Sequence, residues 1–326
     1  MRYGLIGLLL LATAVSGALA GERGAWNWGA DAPPIPADNP MSAVKVELGR
    51  RLFYDADLSI NGTMSCATCH EQHHAFADGN RTHAGALDDP GWRNVPALQN
   101  LAWLSPLTWA DPRQATLEAQ ASVPILGEHP VEMAMKGQEA ELSRRLGRDP
   151  CYRSLFRKAF PQSRGRIDYV DVVRALAAFE RTLVSRGSAW DRFESGEKDA
   201  LSSQARQGLT TFRRDCAGCH AGADLTDAKF HRIGPLGVDP GLAEISASPD
   251  DLGRFRTPGL RNVAVTAPYL HDGSAATLAD AIAAHGEAVQ SADMPPLIAF
   301  LESLTDHSFL TDPQFSLPME ACGKPL

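Results

Sequence analysis

Two pentads, Cys66-Ala67-Thr68-Cys69-His70 and Cys216-Ala217-Gly218-Cys219-His220, constrain this chain more than any other feature. Each offers two thiols spaced to add across the vinyl groups of one haem, and a histidine turned towards its iron. A lone Cys-x-x-Cys also fits half a zinc site or a redox dithiol, but zinc needs further cysteines at matching spacing, and both copies here end in histidine. The expectation is two covalent c-type haems and a fold that wraps them.

The N-terminal residues agree with that chemistry. Met1–Ala20 place Arg2 before an apolar stretch, Leu5–Val15, and close on Ala18-Leu19-Ala20. This is the pattern of a cleavable signal peptide; a retained N-terminal anchor is the alternative. Export and covalent haem together point to a bacterial periplasm, and no other apolar run is long enough to span a bilayer. The formal net charge of −8 disfavours nucleic acid and anionic membranes and permits attraction of basic protein partners. Four of the six cysteines belong to the pentads. The other two, Cys151 and Cys322, either close a disulfide that ties the C-terminal tail to the first domain or remain unrelated thiols.

Strand signals are scarce and most apolar positions recur at helical spacing, which predicts a mainly α fold. Tyr169–Phe193 reads as one long helix with Val172, Val173, Leu176, Phe179 and Leu183 in a single stripe. Pro and Gly mark loops at Pro33–Pro40, Asp88–Pro96, Gly127–Pro130 and Ile233–Gly241. Irregular stretches of that length are unusual in a compact α domain unless they wrap something. Ser195-Gly196-Glu197-Lys198-Asp199 marks a junction, after which a helix at Ser202–Phe212 runs into the second pentad. The domain reading is a leader at 1–20 and two cytochrome c-like domains, 21–197 and 198–326, each enclosing one haem.

Further runs carry a family resemblance: Arg93-Asn94-Val95-Pro96, Pro130-Val131-Glu132-Met133, Ala178-Phe179-Glu180-Arg181-Thr182-Leu183, Gly253-Arg254-Phe255-Arg256-Thr257-Pro258 and Thr266-Ala267-Pro268-Tyr269-Leu270-His271-Asp272-Gly273. In these the chain resembles the bacterial dihaem cytochrome c peroxidase family, within it the MauG-like branch and the MbnH-type enzymes. The resemblance implies an N-terminal peroxidatic haem with His70 as proximal ligand and a C-terminal electron-transfer haem on His220. It also implies a Ca²⁺ ion between them, held by Asn94, Thr266 and Pro268. The second haem's sixth ligand falls at His285, where peroxidases of the family carry Met and MauG carries Tyr; Met294 is the alternative. Imidazole is the stronger donor, so a His/His haem lies at lower potential than a His/Met haem.

On the same resemblance the first haem lacks a sixth protein ligand and is open to peroxide. Glu132 is then the acid–base that moves a proton between the peroxide oxygens, with Gln120 and Pro124 lining the pocket. The family spaces this Pro and Glu about six apart and here they are eight apart, as if Gly127–His129 held two extra residues; His129 is an alternative base. His83 lies where some peroxidases carry a resting-state distal ligand, or is a solvated loop histidine. His73 and His74 read as surface residues. Trp109 falls between the haems, placed for electron hopping, or is an ordinary core tryptophan.

The implied function is a peroxide-dependent oxidoreductase in which hydrogen peroxide drives the haem pair to a high-valent state that a partner protein then reduces at long range. In MbnH-type enzymes the partner is copper-binding and one of its tryptophans becomes kynurenine. The alternatives are a cytochrome c peroxidase drawing electrons from a small cytochrome or cupredoxin, and an electron carrier with two six-coordinate haems.

Overall fold

The computed structural model describes residue 26, residues 32–286 and residues 289–325. The expected leader, 1–20, lies outside them. Among the described residues the chain forms twelve α-helices: α1 (Ala43–Phe53), α2 (Cys66–Cys69), α3 (Leu117–Leu126), α4 (Glu139–Leu146), α5 (Pro150–Ala159), α6 (Tyr169–Glu180), α7 (Ala189–Glu194), α8 (Ser203–Asp215), α9 (Ala243–Ser246), α10 (Leu278–Ala283), α11 (Met294–Glu302) and α12 (His307–Thr311). Strands are confined to two antiparallel pairs of two residues each, Phe230–His231 with Phe255–Arg256 and Glu320–Ala321 with Lys324–Pro325. The fold is mainly α, as expected, and none of these helices is long and apolar enough to cross a membrane.

Two hydrophobic cores organise the helices. In the first, α1 crosses α6 so closely that a Cβ on Gly49 would lie 1.9 Å from the Ala175 carbonyl oxygen. Ser42 starts α1 by accepting a hydrogen bond from the Lys45 N–H, and Asp168 starts α6 by accepting one from Asp171. Both helices turn their apolar stripes inward, and Phe53 meets Phe76 and Phe179 edge-on, with centroids 5.8 and 5.3 Å apart. All three rings are fully buried, each contributing roughly 2–3 kcal/mol of transfer free energy. The second core pairs α8 with α11. Gly208 permits this crossing, since a Cβ there would lie 1.8 Å from the Pro296 carbonyl oxygen, and Phe212 packs on Phe300 at 4.9 Å.

One expected element is corrected: the helix over Tyr169–Phe193 is two helices, α6 ending at Glu180 and α7 starting at Ala189. Periodicity continued through Leu183, which is buried, but the polar residues beyond it hold the chain open. The Ser185 N–H donates to Asn100 Oδ1 and the Asn100 amide donates back to the Ser185 carbonyl. Ser188 then starts α7 with a capping box to Asp191. The predicted Ser202–Phe212 helix forms as α8, with Ser202 as its N-cap.

The C-terminal tail returns to the first core. Phe309 of α12 is buried there, Tyr54 donates to the Phe315 carbonyl and Arg50 to that of Ser316. Cys151 of α5 and Cys322 form a disulfide with Cα atoms 5.8 Å apart across 171 residues of sequence. Of the two fates left open for these cysteines, the tether is the one realised.

Candidate functional site

The first pentad is a single helical turn. Ser65 and Thr68 start α2 with a capping box, and one turn puts Cys66 and Cys69 on the same face. The His70 N–H closes the turn on the Cys66 carbonyl at 2.9 Å. The His70 ring donates from Nδ1 to the Phe76 carbonyl at 2.7 Å, which leaves the Nε2 lone pair for a metal. Burial lowers the imidazole to about 4, so it is neutral and able to ligate at pH 7. Burial also raises both thiols, Cys69 to about 12. Two thiols and a neutral imidazole within one turn are the donor set that covalent attachment to a haem uses.

Around this pentad lie Gln120 and Pro124, one turn apart on α3, with Glu132, Leu176 and Glu180. The cavity they leave is narrow, about 40 Å³, and the fit to a haem rests here on the donor set rather than on volume. Glu132 is brought in by backbone pairing: the Met133 N–H donates to the Pro124 carbonyl and the Met135 N–H to that of Ile125. The two extra residues at Gly127–His129 are thus accommodated outside the cavity, where His129 is exposed. Burial pushes the Glu132 carboxyl up to about 7, against an opposing pull from His83. His83 does not line the cavity; its Nδ1 pairs with the buried Asp78 carboxylate at 2.6 Å.

The second pentad follows α8. The His220 ring bonds the Leu225 carbonyl from Nδ1 at 3.1 Å, and burial lowers it to about 4. Just beyond α10, His285 repeats the arrangement on the Ala281 carbonyl at 2.8 Å. The two rings meet edge-on, with centroids 6.4 Å apart and planes at 62°. Two imidazole nitrogens at ~2 Å from one metal, with ring centres ~1 Å farther out, would set the centroids roughly 6 Å apart. The cleft containing both rings measures about 920 Å³. Met294, at the start of α11, is not among its lining residues.

Trp109, Asn94, Thr266 and Pro268 all line this same cleft. The Trp109 indole N–H donates to the Asn94 carbonyl at 2.8 Å. Asn94 is buried and its amide nitrogen donates to the Asn80 and Arg81 carbonyls, which directs its side-chain N–H groups away and leaves Oδ1 as a donor for a cation. A side-chain amide and backbone carbonyls are hard oxygen ligands of the kind Ca²⁺ takes.

Two residues in the quoted sequence runs carry roles that the sequence did not assign. Arg256 is buried, lowered by burial to about 10 and still cationic at neutral pH. Its N–H donates to the Trp109 carbonyl at 2.7 Å and its guanidinium to the Thr108 and Leu107 carbonyls, which fixes the tryptophan loop. Glu180 lines the first cavity with Oε2 lacking a hydrogen-bond partner, its carboxyl pushed up to about 8 by burial. Each sits in a recognisable run, but only burial distinguishes it from a surface charge.

The family model described as di-haem cytochrome c peroxidase matches residues 43–199. The methylamine utilization protein MauG of Methylophilus methylotrophus is 37% identical over 295 residues, 84% of this chain and 86% of that protein. The chain belongs to the di-haem cytochrome c peroxidase/MauG family. Cytochrome c551 peroxidase of Pseudomonas aeruginosa is 35% identical over 294 residues, 83% of each chain. A crystal structure of a MauG-like protein associated with microbial copper homeostasis superposes with a TM-score of 0.85 at 35% identity, covering 91% of this chain and all of that one. This member of the di-haem family is therefore an oxidoreductase, and the family implies two haems.

Proposed function

We propose that this family member is a periplasmic di-haem enzyme that uses hydrogen peroxide to oxidise a partner protein by long-range electron transfer, in the manner of MauG and the MbnH-type enzymes. Tryptophan modification such as kynurenine formation is the proposed outcome on the partner. The observation that carries the reading is the His220–His285 pair, 6.4 Å between ring centroids, opposite a first site whose lining holds Glu132 and no second imidazole. The copper-homeostasis neighbour supports a copper-binding partner.

When bound, the haems supply the two-electron reduction of peroxide. The chain's own residues do the rest. His70 would hold the first iron through Nε2, and His220 and His285 would hold the second. Glu132 would accept a proton from one oxygen of peroxide and return it to the other, which assists cleavage of the O–O bond. Gln120 and Pro124 shape the space beside it. Trp109 would pass electrons between the sites, and Asn94, Thr266 and Pro268 would hold Ca²⁺ close to it. The Cys151–Cys322 disulfide favours an oxidising compartment and so supports export with removal of 1–20. Domains 21–197 and 198–326 each take one haem.

A conventional peroxidase is the second reading, favoured by the nearly equal identities to MauG and to the c551 peroxidase, 37% and 35%. The test mixes holoenzyme, peroxide and a candidate copper-binding partner, followed by intact and peptide mass analysis. A mass gain on a tryptophan peptide supports the first reading. Rapid turnover with a reduced small cytochrome and no mass gain overturns it in favour of the second. One high-spin and one low-spin ferric signal is expected; two low-spin signals would make the chain an electron carrier.

A further inference from the structure

We infer that Glu71, His73 and His74 form a surface site for a borderline divalent cation, Zn²⁺ or Cu²⁺, independent of the haem chemistry. One carboxylate oxygen and one nitrogen from each imidazole lie within 4.8 Å of one another. The Glu71 carboxylate is 3.0 Å from His73 Nε2, and the two imidazole centroids are 4.2 Å apart. The sequence marked these histidines only as surface residues, and nothing in the peroxide chemistry uses them.

The backbone explains why three donors converge. Gln72–His74 is a 3₁₀ turn with Glu71 as its N-cap, so all three donors belong to one tight turn of four consecutive residues. The turn is held rigidly. The His74 N–H donates to the Glu71 carbonyl, the Phe76 N–H to the same oxygen, and the Glu71 N–H to the Ala77 carbonyl. Ala75 and Phe76, both fully buried, follow in the left-handed region at φ 55° and 62°. A site so fixed needs little ordering when a cation arrives.

His74 has the environment of a ligand. Its Nδ1 donates to the Val265 carbonyl at 2.8 Å, which orients the ring and leaves Nε2 as the free donor, the usual arrangement around a metal-bound imidazole. Beside that nitrogen the chain places Gly79, where a Cβ would stand 3.1 Å from Nε2. His73 is 68% exposed, so a cation reaches the site from solvent and keeps open positions for water or a partner's side chain. Two imidazoles and one carboxylate select Zn²⁺ or Cu²⁺ over Ca²⁺ or Mg²⁺, with Cu²⁺ the tighter of the two.

The experiment uses tag-free holoenzyme in excess Ca²⁺, so that oxygen-ligand sites are filled. It is titrated with Zn²⁺ by calorimetry and with Cu²⁺ by EPR. One equivalent beyond the haem irons is expected, with a Cu²⁺ signal showing two nitrogen ligands. His73→Ala, at an exposed position, should weaken binding roughly tenfold or more. Gly79→Ala should weaken it as well, while both variants keep the wild-type haem absorption. Absence of the equivalent in wild type, or unchanged affinity in either variant, overturns the site.

Discussion

The same five-residue motif sits in two unlike surroundings. At the first pentad the facing wall consists of α3, the Glu132 segment and α6, all from one hydrophobic core, and it presents two protonatable groups, Glu132 near neutrality and Glu180 with an unpartnered oxygen, beside the Gln120 amide. At the second pentad the facing wall presents an imidazole, His285, in a broad cleft shared with Trp109 and Asn94. The pentad and the orientation of its histidine ring on a backbone carbonyl are therefore common to both sites, whereas the opposite wall differs, with carboxyl groups and an amide at the first and an imidazole at the second.

The largest test of that contrast is Glu132→Gln, which should cut the peroxide reaction by about 10²–10⁴ in stopped-flow measurements, with haem absorption unchanged. His129→Ala should leave the rate alone. A Glu132→Gln variant reacting at the wild-type rate would erase the distinction between the two walls. The carboxylate form accepts the first proton, and burial holds this group at about 7. The peroxide rate should therefore rise with pH through an inflection near that value, and the inflection should vanish in Glu132→Gln.

His285→Ala comes next. It should convert the second centre from low spin to high spin in the ferric EPR spectrum and leave the first centre's signal unaltered. Retention of the low-spin signal would show that another residue caps the iron.

The two regions should also differ in stability. The disulfide closes a long loop onto α5, so replacing Cys151 and Cys322 with serine should lower stability by about 3 kcal/mol, with hydrogen exchange rising in α1 and α5 but not in α8 and α11. A uniform rise would show that the cores do not open separately. A last test concerns Glu180, raised from its ordinary 4.5 to about 8. Between those values the unfolded chain binds fewer protons than the folded one, so stability falls as pH rises from about 4.5 to about 8 and levels off above. Glu180→Gln should remove this decline in denaturant titrations at pH 5 and pH 8; an unchanged slope would assign it to other groups.

Much of the site was legible because its chemistry is local. Two thiols and an imidazole within one turn need no long-range information, so the pentads were readable without a structure. The family runs extended that reading to Gln120, Pro124, Glu132, Trp109 and His285, and the structure gathers these around the two pentads. Patterning also predicted a mainly α chain, but it carried a helix through Phe193 where the Asn100–Ser185 pair and the Ser188 cap divide it. Periodicity registers which face is apolar and is silent about a hydrogen bond to a residue far away in sequence.

By itself the sequence marked the two pentads as the expected haem attachment points and determined the helical class, since both readings follow from residue types at fixed short spacing. Tertiary structure alone decided that Cys151 meets Cys322, that Arg256 fixes the Trp109 loop, and that Glu180 faces the first cavity. It also set His83 on Asp78, outside that cavity. Burial and long-range contact set the protonation and orientation of such groups, and neither is a property of a residue's neighbours along the chain.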